Sequence, residues 1–412
     1  MLPMLNQTAR IISTYSADTF GVCSTFFELD GMIVIHDPSG CNSTYTTHDE
    51  PRWYTQDAKI YVSALNEQDA VLGRDERFLK DVIETVCQQQ PRFVCLIPSQ
   101  IAFLLSTDMK ALAKIVAKKT GVPAFTLPTN SMHYYERGIY LAMEKLARHV
   151  TGTAEDWPRE TPRPQKSSAP HKCAVNLLGI TPQDFSINGS DASIRSWLDR
   201  EGFSLQSCWS LGTTLQSIET APAADVNLVL SYGGLGAARV LQEVCGIPYV
   251  IGVPMAPLQE ELAEALRETA ETKHTHALYL SYSPYDDFEK NGLLIGESVY
   301  AQSLAYALEQ KTNRHYTCII PMETEHILLR QDTLRATDEK DLQPLFDQAK
   351  DILGDPMYAP ILPETARFIP LPHEGFSGRL YEPYIPNLID ADGFASFLAQ
   401  IKEKPANAPF LS

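Results

Sequence analysis

Cys23, in Phe20-Gly-Val-Cys23-Ser24, and Cys41, in His36-Asp-Pro-Ser-Gly-Cys41, are the side chains whose type and setting suit iron chemistry. A thiolate is the soft donor that iron–sulfur clusters select, and it needs an exposed backbone corner to reach a metal. Pro38 and Gly40 supply that corner at Cys41, because proline fixes φ and glycine tolerates turn dihedrals. The same reading puts Cys23 in a tight turn beside Gly21, with the apolar, strand-like segment Gly31-Met-Ile-Val-Ile-His36 between the two cysteines. A buried structural thiol is the commoner fate of this residue type; Cys95, inside Phe93-Val-Cys95-Leu-Ile, has that setting. Spacing alone leaves both readings open for Cys23 and Cys41.

These residues must be positioned by a large fold. A chain of 412 residues with 44% hydrophobic and 21% charged residues predicts two or three domains, each able to build a core. The net charge of −17 disfavours nucleic acid or an anionic membrane as partner. There is no basic leader followed by a long apolar stretch and no apolar run of about 18 residues, so the expected location is the cytoplasm. Eight cysteines are dispersed without a CxxC pair, which does not form a secreted disulfide framework or a zinc knuckle.

Short β-branched apolar runs alternate with longer amphipathic stretches, the pattern of βαβ units around parallel sheets. The fold class is therefore α/β, with three Rossmann-like domains: residues 1–155, 171–290 and 291–412, with a proline-rich linker at 156–170 and a C-terminal helix that packs back. In the first, Met32–Ile35, Arg92–Pro98 and Ala124–Leu127 read as strands, and Glu76–Gln89, Thr107–Thr120 and Tyr134–Val150 as helices. In the second, the strand Val226–Ser231 leads into the glycine-rich turn Tyr232-Gly233-Gly234-Leu-Gly236, placed where open α/β sheets bind ligands. It breaks the G-x-G-x-x-G spacing, and close helix packing explains its glycines equally well. The third contains the strand Leu293–Ser298 and later Phe368-Ile-Pro-Leu-Pro-His373-Glu-Gly-Phe-Ser-Gly.

Three linked units with a glycine/cysteine turn after the first strand resemble the nitrogenase component 1 superfamily, which includes catalytic chains, cofactor-assembly scaffolds and tetrapyrrole reductases. His36-Asp-Pro-Ser-Gly-Cys41 resembles the family turn whose cysteine binds the electron-relay cluster, and Cys23 resembles the upstream ligand. Glu67-Gln-Asp-Ala-Val-Leu-Gly73, Val175-Asn-Leu-Leu-Gly179 and Asn227–Ser231 resemble further family segments. Ile369-Pro-Leu-Pro-His373 resembles the strand that carries a histidine facing the active-site cavity.

The departures shape what the resemblance implies. Ser99-Gln100 stand where the nitrogenase chains place a third cluster cysteine, with Cys95 as the nearby alternative, and Ser231 stands in place of the cysteine that anchors the catalytic cofactor. A serine does not replace a soft thiolate on iron, so dinitrogen is not the expected substrate. A [4Fe–4S] cluster takes four ligands, which Cys23 and Cys41 from each of two chains at a subunit interface would supply. The resemblance thus implies a homodimer or a heterodimer with a related chain. With no G-x-x-x-x-G-K-[ST] motif here, it also implies a separate ATP-dependent iron protein as the electron donor. A small-molecule substrate is expected near Ser231, Gly233, Gly234, Gly236 and His373. His373 is the expected proton donor, its residue type being suited to acid work near neutral pH, with Glu374, Ser377 and Arg379 as polar substrate contacts. A second metallocofactor there is left open. Asp37, Asp49, Glu50 and Arg52 are expected either to steer the partner or to lie in a solvated loop, and His36 and His48 to be hydrogen-bonding turn residues. The rival expectations are an assembly scaffold without turnover and a metal-free ligand-binding protein.

Overall fold

The computed structural model describes residues 10–11, 16–40, 42, 45, 50–164, 172–280, 289–312 and 314–402; Cys41, His48, Asp49 and the side chain of Arg379 lie outside this set. Three parallel sheets flanked by helices make up the chain. The first has the order β2-β1-β3-β4, from β1 (Met32–His36), β2 (Lys59–Val62), β3 (Val94–Pro98) and β4 (Ala124–Thr126). Its helices are α1 (Asp18–Phe26), α2 (Glu67–Leu72), α3 (Glu76–Gln89), α4 (Gln100–Leu104), α5 (Met109–Thr120) and α6 (Tyr135–Thr151). β1 and β3 are buried at every position, as continuous apolar strands covered on both faces should be.

The second sheet has the order β6-β5-β7-β8-β9, from β5 (Ala174–Ile180), β6 (Ser204–Ser210), β7 (Val226–Val229), β8 (Tyr249–Ile251) and β9 (His276–Ala277). Around it stand α7 (Pro182–Phe185), α8 (Ser190–Arg200), α9 (Leu215–Ile218), α10 (Tyr232–Cys245) and α11 (Gln259–Thr272). The third sheet has the order β12-β11-β10-β13-β14, from β10 (Glu289–Ile295), β11 (Arg314–Ile320), β12 (Leu334–Arg335), β13 (Asp351–Gly354) and β14 (Arg367–Pro370). Its helices are α12 (Ser298–Lys311), α13 (Glu339–Phe346), α14 (Glu374–Ser377) and α15 (Ala391–Lys402).

One apolar cluster runs through all three sheets, from Phe20 on α1 to Ile401 on α15. Helix α6 is its hub, packing on both α1 and α10. Glycines make the close approach possible. A Cβ at Gly21 would fall 1.9 Å from the Tyr135 carbonyl oxygen, and one at Gly138 would fall 1.8 Å from that of Asp18. These contacts bring the first turn of α6 to the carboxyl ends of the second and third sheets. Among the described residues, no helix is long and apolar enough to cross a membrane.

Candidate active site and thiol centre

Crevices in doubly wound sheets open at the carboxyl ends of the strands where the order reverses. In the second sheet those strands are β5 and β7, leading to Asp184 and Ser231; in the third they are β10 and β13, leading to Glu297 and Asp355. β14 adds His373, and α6 brings Tyr135 and Glu136. The structure therefore joins residues from all three sheets in one buried junction.

His373 is fixed at three points. Its backbone N–H donates to Asp355 Oδ2 (2.9 Å), its Nδ1 accepts from the Gly375 N–H (3.2 Å), and its ring packs edge-on against Phe376 at 4.8 Å. Since Nδ1 accepts, the neutral ring carries its proton on Nε2, which faces Asp184 Oδ1 at 3.7 Å without a hydrogen-bond partner. Burial lowers the His373 pKa to about 3, so at neutral pH it is an uncharged imidazole. Burial thus favours the uncharged ring over the charged imidazolium that the residue type suggests for acid work near neutral pH.

The acid in this junction is one that sequence reasoning did not single out. Asp184, at the end of α7, accepts a 2.6 Å hydrogen bond from Tyr135 OH, while its Oδ2 makes no well-formed hydrogen bond. Burial, then repulsion from Glu297, pushes its pKa well above the usual range. Glu136 is raised by burial and then by Asp184 and Glu297, and its Oε2 is also unpartnered. Glu297 differs: the N–H groups of Tyr232, Val299 and Tyr300 and the Ser298 hydroxyl all donate to it at 2.8–2.9 Å. Although burial raises its pKa too, four donors suit the ionised form, and Glu297 is the member of the three best fitted to keep a charge. The signal for Asp184 was Thr181-Pro-Gln-Asp184, an acid just after an apolar strand; its significance comes from partners far away in the chain.

The other expected site residues divide. Ser231 lies at the junction, fully buried, with its hydroxyl donating to the Gly179 carbonyl (2.8 Å). The expected glycine-rich turn is instead the first part of α10. A Cβ at Gly233 would fall 2.3 Å from Ile139 Cγ2, one at Gly234 2.6 Å from the Leu178 carbonyl, and one at Gly236 3.0 Å from the Tyr140 carbonyl oxygen. These three glycines face α6 and β5, so helix packing is what they provide in this structure. Ser377 donates to Asp355 (2.8 Å), and Glu374 accepts from Ser186 at 3.5 Å.

Cys23 corrects a local expectation: it lies in α1, not in a turn, and is completely buried. Burial, then Cys95 and Glu50, holds its thiol pKa well above the ordinary value. Cys95 is buried in β3, and its thiol is likewise pushed up by burial. Glu50 and Arg52 are neither steering charges nor solvated. Arg52 donates from Nε to Glu50 (2.7 Å), from Nη1 to Glu28 (3.0 Å) and the Ser210 carbonyl (2.9 Å), and from Nη2 to Glu50 (3.1 Å) and the Ser24 carbonyl (2.8 Å). Tyr45 OH and Ser24 Oγ complete the shell of Glu50. This clamp ties Tyr45, Glu50 and Arg52 to α1. His36 is a hydrogen-bonding residue as expected, its Nδ1 at 2.8 Å from Ser63 Oγ, and Asp37 accepts from the Ser39 N–H (2.8 Å).

The family model described as Nitrogenase component 1 type Oxidoreductase matches residues 19–277. The chain belongs to this family. Among similar proteins are the nitrogenase molybdenum-iron protein alpha chain of Azospirillum brasilense (28% identical; 58% of this chain, 49% of the relative) and a chain of the light-independent protochlorophyllide reductase of Prosthecochloris aestuarii (26%; 55% and 40%). The nitrogenase iron-molybdenum cofactor biosynthesis protein NifE of Klebsiella pneumoniae is 25% identical over 53% of this chain and 48% of its own length. The chain thus spans half or less of the length of these relatives. The solved structure described as "Nitrogenase Cp1 at pH 5" superposes with a TM-score of 0.63 over 96% of this chain and 89% of the other, at 12% identity. That likeness shows that this member of the component 1 family has the same fold.

The donor atoms in this family member discriminate between two metal groups. Thiols are the right donors for an iron–sulfur cluster, and Cys23 fits in donor type but is completely buried within α1 in the single chain; Cys41 lies outside the described residues, and no group of three or more potential metal-ligating side chains occurs among those described. Asp184, Glu136, Ser231 and Thr181 at the junction are oxygen donors beside one imidazole. Without a thiolate among them, they do not fit a metal–sulfur cofactor.

Proposed function

We propose that this chain is the substrate-reducing component of a nitrogenase-like two-component system, fed by a separate ATP-hydrolysing iron protein. The observation that carries the reading is the composition of one edge of the first sheet. The segment that leads to Cys41 leaves the carboxyl end of β1, α4 starts at the carboxyl end of β3, and α2 follows β2 at the same edge. Both helices expose apolar side chains there, with Val71 77%, Leu104 65% and Leu72 57% accessible, as a docking face for another protein would. Cys23 and Cys41 from each of two chains, identical or related, would hold a [4Fe–4S] cluster behind this edge, and the cluster would supply one-electron transfer.

The chain's own part is to bind the substrate in the junction, exclude water from it and hold protons there. Aromatic rings of Tyr300 and Phe376 flank His373 at 6.3 and 4.8 Å and suit an unsaturated organic molecule. The oxygen-donor set argues against both dinitrogen reduction and the storage of a metal–sulfur precursor. It therefore favours an enzyme over the rival reading, an assembly scaffold like the NifE relative. The expected location is the cytoplasm.

The test is anaerobic mixing of the purified chain with a nitrogenase-type iron protein, dithionite and ATP, followed by EPR. The expected result is ATP-dependent one-electron reduction of the chain, lost when Leu104 is changed to aspartate. Reduction that proceeds equally without ATP or without the iron protein would overturn the proposal.

A further inference from the structure

We propose that Asp184 stores a proton at the three-sheet junction, as a neutral carboxylic acid at physiological pH, positioned to protonate a substrate reduced beside His373. The proposal rests on the reductase reading for the use of the proton, but the storage itself is a property of the chain alone.

The geometry is specific. Tyr135 OH donates to Asp184 Oδ1 at 2.6 Å, so that oxygen acts as an acceptor, and the proton belongs on Oδ2. Oδ2 makes no well-formed hydrogen bond, although the carboxyl lies within reach of the Ser231 and Thr181 hydroxyls; His373 Nε2 and Glu136 Oε2, both buried, have no partner. Buried polar atoms are nearly always paired, and His373 Nε2 and Glu136 Oε2, unpaired beside the loosely held Asp184 carboxyl, mark a place where a polar group of a ligand completes the bonding.

Charge gives the second constraint. Asp184, Glu136 and Glu297 act on one another in a buried environment, where like charges at close range cannot all ionise. A basic side chain is not what relieves them: the imidazole that faces Asp184 is held neutral by burial. A metal ion is not indicated either, since the described residues contain no group of three or more potential metal ligands. Protons are the remaining compensation, and Glu297, with its four donors, needs one least. Among the described residues, Tyr135 and Tyr300 also face Asp184, their hydroxyls held protonated by burial, and the buried Glu374, on α14 packed against α7, accepts from Ser186 two residues along. Asp355, behind His373, is raised to about 6 by burial and accepts from Met357, His373 and Ser377, so it stays largely ionised at neutral pH.

The reaction balances as follows. An electron from the low-potential iron–sulfur reductase adds to a substrate double bond to give a radical anion. The Asp184 O–H bond breaks, its proton forms a new C–H or N–H bond, and the carboxylate remains. A second electron from the same donor and a proton from water complete the two-electron, two-proton reduction, and solvent reprotonates Asp184 when the product leaves.

The experiment is infrared difference spectroscopy of the purified full chain at pH 7, without cluster, partner or substrate. The expected result is a carboxylic-acid C=O absorption that shifts down in D2O, loses its Asp184 component in Asp184→Asn while a Glu136 component remains and is removed by Glu136→Gln, and persists in Glu297→Gln. Asp184→Glu keeps the band at a shifted frequency, so loss through misfolding of Asp184→Asn is recognised. Absence of a carboxylic-acid band in wild-type protein, or a band unchanged in both Asp184→Asn and Asp184→Glu, would overturn the proposal. A chain that shows the band but is never reduced by an iron protein retains the storage site and loses only the reductase reading.

Discussion

Replacing Arg52 with methionine should destabilise the first sheet and uncover Cys23 together. The Arg52 side chain is 3% exposed and bridges Glu50 (0%) and Glu28 (8%), and all five of its N–H donors find acceptors. At an effective dielectric near 20, each contact of about 4 Å between charge centres is worth roughly 4 kcal/mol before desolvation. Methionine recovers packing but leaves two carboxylates buried without a cation, for which a net loss of about 3–5 kcal/mol is expected. With a urea m-value of about 3 kcal/mol/M, the midpoint should fall by about 1 M or more. Trp53, whose Nε1 donates to the Tyr45 carbonyl (2.9 Å), provides a local fluorescence probe. The double variant Arg52→Met/Glu50→Gln should recover part of the loss, because one stranded charge is then gone. The same clamp holds Tyr45 and Glu50 against α1, so Cys23 should be labelled by a thiol reagent many-fold faster in Arg52→Met than in wild type, where exposed Cys87 reacts first. A loss below about 1 kcal/mol, or equal labelling of Cys23 in both proteins, would refute the reasoning.

Two further outcomes follow from the fold. Burial disfavours a charged His315, but the hydrogen bonds that its ring donates to Asp332 and Glu309 outweigh it and raise its pKa to about 9. Because this lies above the unfolded value of about 6.5, the stabilisation is complete below that pH and lost as pH rises through 9. Unfolding of the third sheet should therefore become easier across that interval in wild type and show no such slope in His315→Gln; parallel slopes would count against it. Gly21→Ala and Gly138→Ala each drive a methyl group into backbone of the facing helix. Each should cost about 1–3 kcal/mol or more, and thermal unfolding within a degree of wild type for either would mean that α1 and α6 are not locked as described.

The sheet skeleton was legible because its central strands are continuous apolar runs. β1, β3 and β7 sit where the sequence places them, and α5, α6 and α10 end at Gly121, Gly152 and Gly246, each in the left-handed region that glycine favours. Edge strands were harder: β6 reads Ser-Leu-Gln-Ser-Cys-Trp-Ser, and its three leading residues are only half-buried, so its periodicity is blurred. Helix α1 was missed because Thr, Gly, Val, Cys and Ser are modest helix formers; packing of Gly21 and Gly138 across α1 and α6, not local propensity, makes it a helix. The junction was half legible. His373 was identified from its motif, yet its protonation state depends on burial created by other segments. Asp184 acquires its character from α6, α10 and α12, which no local spacing reveals.

The central claim is that Cys23 and Cys41 place an iron–sulfur cluster in a two-chain assembly. Iron and sulfide content with EPR, measured on anaerobically purified wild type beside Cys23→Ala and Cys41→Ala, tests it most directly. The account predicts about four irons per pair of chains in wild type, lost in both variants. Iron-free wild type, from cells competent in cluster assembly, would contradict it.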